Sequence, residues 1–220
     1  MPIRIEANDN ASQKLLLVND TGHLISNSLQ DVRALNSAHA PKSPGLPELQ
    51  IIASENLEKG LKESAKGNDK NAVADFATEI AALKKMQPQV KLSEGIDVSM
   101  KLVQAYNNKA WSELALHQPA QALADIKNVF PISDDSGAYD TKAVAEMMQG
   151  HYADAAKDLD KCDRVRLPGK GPDGDVLYHE ALAFSKVGRL ADAQRALKEA
   201  RQTNYVPAPW ETKLLAPVLK

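Results

Sequence analysis

One spacing pattern recurs through the second part of this chain and limits its fold more than any other feature. A glycine is followed five positions later by an alanine, and four further on by a large apolar residue. The copies are Gly67, Ala72 and Phe76; Gly150, Ala155 and Leu159; and Gly188, Ala193 and Leu197. A fourth copy, His117, Ala122 and Ile126, keeps the last two members. Twelve residues before each alanine stand Gly60, Ala110, Ala143 and Ala181, and seven after it stand Glu79, Val129, Cys162 and Ala200. A recurrence of this kind implies units that cannot each bury an apolar face alone and that stack to make a common core.

The spacing is that of the tetratricopeptide repeat (TPR), two antiparallel helices in about 34 residues. The small residues let the two helices of a unit approach closely, the glycine occupies the turn, and the large residue packs toward the next unit. The predicted fold is therefore mainly α, a TPR helical-hairpin solenoid of about four units. Steps between the alanines are 50, 33 and 38 residues. The longest step places an insertion near residues 88–97, and the 38-residue step lengthens a loop over residues 167–174. Residues 206–210 and a short helix after them are expected to cap the end, with Trp210 over the last apolar face.

The first 47 residues follow other rules. Residues 3–6 alternate apolar and polar, and Leu15, Leu16, Leu17 and Val18 make a second strand candidate before a turn at residues 19–22 and a return through Leu24 and Ile25. A helix is expected from Ser28 through Val32 and Leu35. Pro41, Pro44 and Pro47 then mark a linker over residues 40–47. The expected organisation is a small β-containing region over residues 1–47 and a TPR domain with its capping segment over residues 48–220.

Composition excludes several function classes. There are 27 basic against 29 acidic residues, a net charge of −2. No basic excess is present to drive binding to nucleic acid or an anionic membrane surface. The single cysteine, Cys162, cannot form an internal disulfide, which fits a reducing compartment. No apolar run approaches the roughly 20 residues of a spanning helix, and no signal peptide is visible.

Catalytic, metal and cofactor sites are not expected. The histidines at positions 23, 39, 117, 151 and 179 lack ligand spacing, and no CxxC occurs. His117 and His151 fall in turns as solvated polar residues. Cys162 occupies a helix-packing position and reads as a small buried residue. Residues 169–174 are glycine-rich, but their order and setting are wrong for a phosphate-binding loop.

The remaining functional surface is the concave face of the first helices of each unit, which takes peptides or partner helices. TPR domains that bind acidic chaperone tails supply Lys and Asn, then Asn, then Lys and Arg from three successive units. The matching positions here are Leu57 and Leu61, Asn108, and Gly137 and Thr141, of which only Asn108 agrees. Lys101, Lys109 and Lys142 stand near enough to replace some charge. The candidate peptide-binding residues are Leu61, Lys101, Gln104, Asn108, Trp111, Thr141 and Lys142. Leu61 and Trp111 provide apolar contact.

The order of elements resembles the small cytosolic TPR subunit of the fungal post-translational protein-translocation (Sec) complex of the endoplasmic reticulum. The resemblance rests on the β-rich start, the Pro-containing linker, Gly60, Gly67 and Ala72 in the first unit, the long insertion, and the compact later units. It implies a non-enzymatic adaptor, peripheral on the cytosolic side of that membrane. Its partners would be a single-pass membrane subunit, with the J-domain subunit and protein-conducting channel in the same assembly, and cytosolic chaperone tails as a further candidate. A free cytosolic co-chaperone binding chaperone carboxyl-terminal peptides is the alternative. An enzyme with its site in residues 1–40 is disfavoured, because that region lacks clusters of titratable groups.

Overall fold

A computed structural model describes residues 4–7, 15–18, 24–26, 44–90, 92–166, 171 and 173–219, with side chains from residue 44 onward except 92–96. The turn expected at residues 19–22, the helix expected from Ser28 to Leu35, residues 40–43 and residues 167–170 lie outside that set. The chain divides into two compact units, Met1–Pro44 and Gly45–Lys220. In the first, strands β1 (Arg4–Ala7), β2 (Leu15–Val18) and β3 (Leu24–Ser26) pair antiparallel in the order β1-β2-β3. Arg4 pairs with Val18 and Ala7 with Leu15, while Leu17 pairs with Ser26 across a register shift.

The second unit is helical among its described residues. Its helices are α1 (Leu46–Ala65), α2 (Asp69–Met86), α3 (Leu92–Ala115), α4 (Pro119–Ile126), α5 (Ser136–Met148), α6 (Tyr152–Val165), α7 (Gly174–Lys186), α8 (Leu190–Ala200) and α9 (Pro209–Leu215). The unit begins at Gly45, earlier than the boundary expected after residue 47, because Leu46 and Pro47 already belong to α1. Proline is tolerated in a first helical turn, where its missing N–H had no partner to lose. The Glu48 carboxylate accepts the backbone N–H of Gly45 and fixes this start.

From α1 to α8, each helix packs on the next one in the chain. The alternate helices α1, α3, α5 and α7 also touch in succession. That contact order is a stack of hairpins: α1/α2, α3/α4, α5/α6 and α7/α8. The hairpin turns share one backbone solution. Gly67, Gly150 and Gly188 have φ of 75°, 82° and 80°. His117 takes the same place in the second hairpin with φ 58°, the single non-glycine residue at positive φ among the described residues. The left-handed conformation is open to glycine and costs an L-residue about 1–2 kcal/mol.

The repeat positions form the core. Ala72, Ala122 and Ala155 are fully buried, as are Ala110 and Ala143, and Phe76, Ile126 and Leu159 fill the space beside them. Each such large side chain contributes about 1.5–3 kcal/mol on leaving water. Residues beyond the standard period between the first two units are mostly helix. A 3₁₀ turn, Gln87–Gln89, leads into α3, which has 24 residues against 13 in α5 and 13 in α7.

The segment after α8 departs from the expected cap. It has no regular secondary structure over residues 204–208, and α9 then packs on α7. Trp210 does not close the last apolar face. It lies edge-on against Trp111 of α3, with ring centroids 5.2 Å apart and planes at 71°.

Candidate groove site

Helices α1, α3, α5 and α7 supply the inner face of the stack, and a groove of 670 Å³ opens along it. Its middle is built by Asn107, Asn108 and Trp111 of α3 and Asp140 and Thr141 of α5. These residues stand at neighbouring positions on adjacent hairpins, so their side chains meet. Thr141 is buried and donates its hydroxyl to Asn107 Oδ1 at 2.8 Å.

Of the residues expected in the groove, Leu61, Asn108, Trp111 and Thr141 line it. Lys101, Gln104 and Lys142 are not among its lining. Lys101 is exposed and pairs with Asp97 at 2.7 Å on its own helix. Lys142 follows Thr141 by one residue, a rotation of about 100° around the helix. It therefore faces α6 and pairs with Asp158 at 2.6 Å. Lys109 is likewise held between Glu113, at 2.7 Å, and Asp125. The lysines expected to lend charge to the groove are thus consumed by bonds on their own helix or on a second helix.

Acidic groups take their place. Asp134, Asp135, Asp140, Asp173 and Asp175 line the groove, and among the described residues Arg166 is the one Lys or Arg in its lining. Arg166 is paired with Asp163 at 2.8 Å. Burial, followed by the charge of Asp140, raises the Asp175 carboxyl above its usual range. Cys162 lies in the groove wall with 1% exposure, and burial pushes its thiol up to about 12. Such a thiol is a packing residue and a poor nucleophile.

A buried polar network closes the end of the groove near α7. His179 of α7 is completely buried, with Nδ1 2.8 Å from Asp140 Oδ1 and Nε2 3.3 Å from Glu211 Oε1. Burial alone would lower the imidazole pKa, but Asp140 and Glu211 outweigh it and hold the group up to about 10. His179 is therefore an imidazolium donating from both ring nitrogens. Glu211 also accepts the Tyr205 hydroxyl at 2.7 Å and the Ala208 backbone N–H at 2.9 Å. Burial opposes its ionisation, yet His179 and Tyr205 keep its carboxyl below the usual range. This network ties residues 205–211 to α5 and α7. Sequence reasoning left His179 among the scattered histidines. The available signal was its position, one residue further along its unit than Asp140 is along the preceding one.

Among the described residues no group of three or more His, Cys, Asp or Glu side chains is placed to hold a metal ion. Nor is any helix there long and apolar enough to cross a membrane.

No family model matches the chain, and no curated protein matches it. Solved structures similar to it include the first TPR domain of the human RPAP3 protein, determined by NMR, with 17% identity and a TM-score of 0.42, covering 73% of this chain and 100% of that one. The crystal structure of MamA protein has 15% identity and a TM-score of 0.39, covering 72% of this chain and 98% of that one. A tetratricopeptide repeat protein from Parabacteroides merdae has 18% identity and a TM-score of 0.40, covering 76% of this chain and 72% of that one. At these similarities the architecture stands on the helix order, the left-handed turns and the small residues at the helix crossings. On those grounds the second unit is a solenoid of TPR-type helical hairpins with an inner groove, an architecture that presents an extended surface to other protein chains.

Proposed function

We propose that the chain is a non-enzymatic adaptor that binds a segment of a partner protein in the groove formed by α1, α3, α5 and α7. The observation that carries this reading is the groove itself, walled by exposed or half-buried Leu61, Asn108 and Trp111. The finer reading rests on the order of elements. In it the chain, with a small β-containing amino-terminal region, is the peripheral TPR subunit of the post-translational translocation complex on the cytosolic side of the endoplasmic reticulum membrane. A single-pass membrane subunit holds it there, beside the J-domain subunit and the protein-conducting channel.

Docking of acidic chaperone tails is the weaker reading for this groove. Such a tail needs cations forked onto its carboxylates. Here Lys101, Lys109 and Lys142 are paired elsewhere.

Affinity purification of the tagged full chain from detergent-solubilised cells tests the assignment. Recovery of the channel and its J-domain partner, with the chain removable from membranes by alkaline extraction, supports the translocation adaptor. Recovery of soluble chaperones alone overturns it in favour of a free co-chaperone. Within the groove, Asn108→Ala is expected to weaken capture of a groove-bound partner by about 1–3 kcal/mol, the worth of a hydrogen bond to a charged group. Unchanged capture removes Asn108 from the site.

A further inference from the structure

The open groove is chemically polarised. At its α1 end the walls are Leu61, 49% exposed, Met100, 44% exposed, and Phe76. Trp111 stands between this end and the other. Toward α5 and α7 the walls carry Asp134, Asp135, Asp140 and Asp175.

Three of these carboxylates, Asp134, Asp135 and Asp175, have only neutral partners among the described residues, and the Arg166 that also lines the groove is paired with Asp163. Asp134 accepts a hydrogen bond from the Tyr139 hydroxyl at 3.0 Å. Asp135 accepts one from the Ala138 N–H at 2.9 Å, and Asp175 one from the Val176 N–H at 2.8 Å. All three donors are neutral, and among the described residues none of these three carboxylates is in an ion pair. Asp140 does face a cation, but it shares the single imidazolium of His179 with Glu211. The amino termini of α5 and α7 return only about half a positive charge each. A carboxylate entering here meets repulsion, whereas a Lys or Arg side chain meets acceptors with unused lone pairs.

We propose that the groove receives a partner segment in which a short apolar stretch is followed by Lys or Arg. The apolar part lies against Leu61, Met100 and Trp111, and the basic part against Asp134, Asp135 and Asp175. This inference rests on the adaptor reading and names the chemistry of the partner at the same groove.

The test uses the full chain and two fluorescein-labelled peptides in anisotropy titrations. One peptide is Leu-Leu-Ala-Leu-Lys-Arg-Lys, and the other carries Glu at its three basic positions. The basic peptide is expected to bind, and to bind about tenfold more weakly when salt is raised from about 50 mM to about 500 mM. Asp134→Asn and Asp175→Asn should each weaken it by about tenfold, and Leu61→Glu should weaken it at the apolar end. Circular dichroism of each variant reports that the fold is intact. Binding of the glutamate peptide in preference to the basic one overturns the charge assignment and leaves a peptide groove in place. Basic-peptide binding that ignores both asparagine variants overturns it as well. If neither peptide binds while partners are still recovered from cells, this inference falls alone; if no partner is recovered either, the adaptor reading falls with it.

Discussion

Glu79 occupies the position filled by Val129, Cys162 and Ala200 in the other hairpins, and it is 2% exposed. Its Oε2 has no hydrogen-bond partner, and burial pushes the carboxyl up to about 7 from 4.5. A raised carboxylate pKa means that the folded protein holds a proton which the unfolded chain releases. Stability from this group is therefore full below about pH 4.5 and falls as pH rises through about 7. At about 1.36 kcal/mol per pKa unit, the loss is about 3 kcal/mol. Replacing the carboxyl with the residue the second hairpin uses, Glu79→Val, removes the titration. Urea unfolding of parent and variant at steps from pH 4.5 to pH 8 isolates the effect, because the other titrating groups are shared. The stability difference should shift in favour of the variant by about 3 kcal/mol across that range, with an unchanged denaturant slope. Parallel profiles for the two proteins would refute the reasoning, since they would mean that Glu79 ionises in the folded state without cost.

Other perturbations probe the turns, the crossings and the buried network. His117→Gly should raise stability by about 1 kcal/mol, read by thermal melting, because it relieves a left-handed residue in the second hairpin turn. Gly60→Ala should destabilise by about 1–3 kcal/mol, since a Cβ there would stand 2.6–2.9 Å from three atoms of the Phe76 ring. A net gain approaching the roughly 1 kcal/mol of helix propensity would instead show that the ring moves freely. His179→Gln should cost about 3–5 kcal/mol in urea unfolding by leaving Asp140 and Glu211 without their cation. The His179 pKa is raised from 6.5 to about 10, so its contribution is complete below pH 6.5 and is lost as pH climbs toward 10. The parent, but not the variant, should show that alkaline decline.

Much of the solenoid was legible because its determinants are local and recur. The alanines at 72, 122 and 155 must be small wherever two helices cross, and Gly67, Gly150 and Gly188 must bend the chain through a conformation with φ above zero. Even the irregular copy obeys the rule, with His117 taking the glycine's φ at an energetic cost. The groove was legible only as a face. Leu61, Asn108, Trp111 and Thr141 line it because helical spacing fixes which positions point inward. The lysines were misplaced because the side chain of a surface lysine goes to whichever carboxylate is nearest in three dimensions. Asp158 and Asp125, 16 residues away from Lys142 and Lys109, could not be identified as those partners from spacing along a single helix.

The residue pattern by itself determined the class of fold, the helix-crossing residues and the inward face, since these depend on spacings within one hairpin. Tertiary structure alone decided the sign of the groove and the path of the segment after α8. Both depend on contacts between residues far apart in the chain: Trp111 with Trp210, and Asp140 with His179 and Glu211. An isolated helix of seven residues such as α9 is too short to be stable, so no local preference tells it where to pack. Its place follows from an imidazolium, two carboxylates and two indole rings that meet only once the hairpins have stacked.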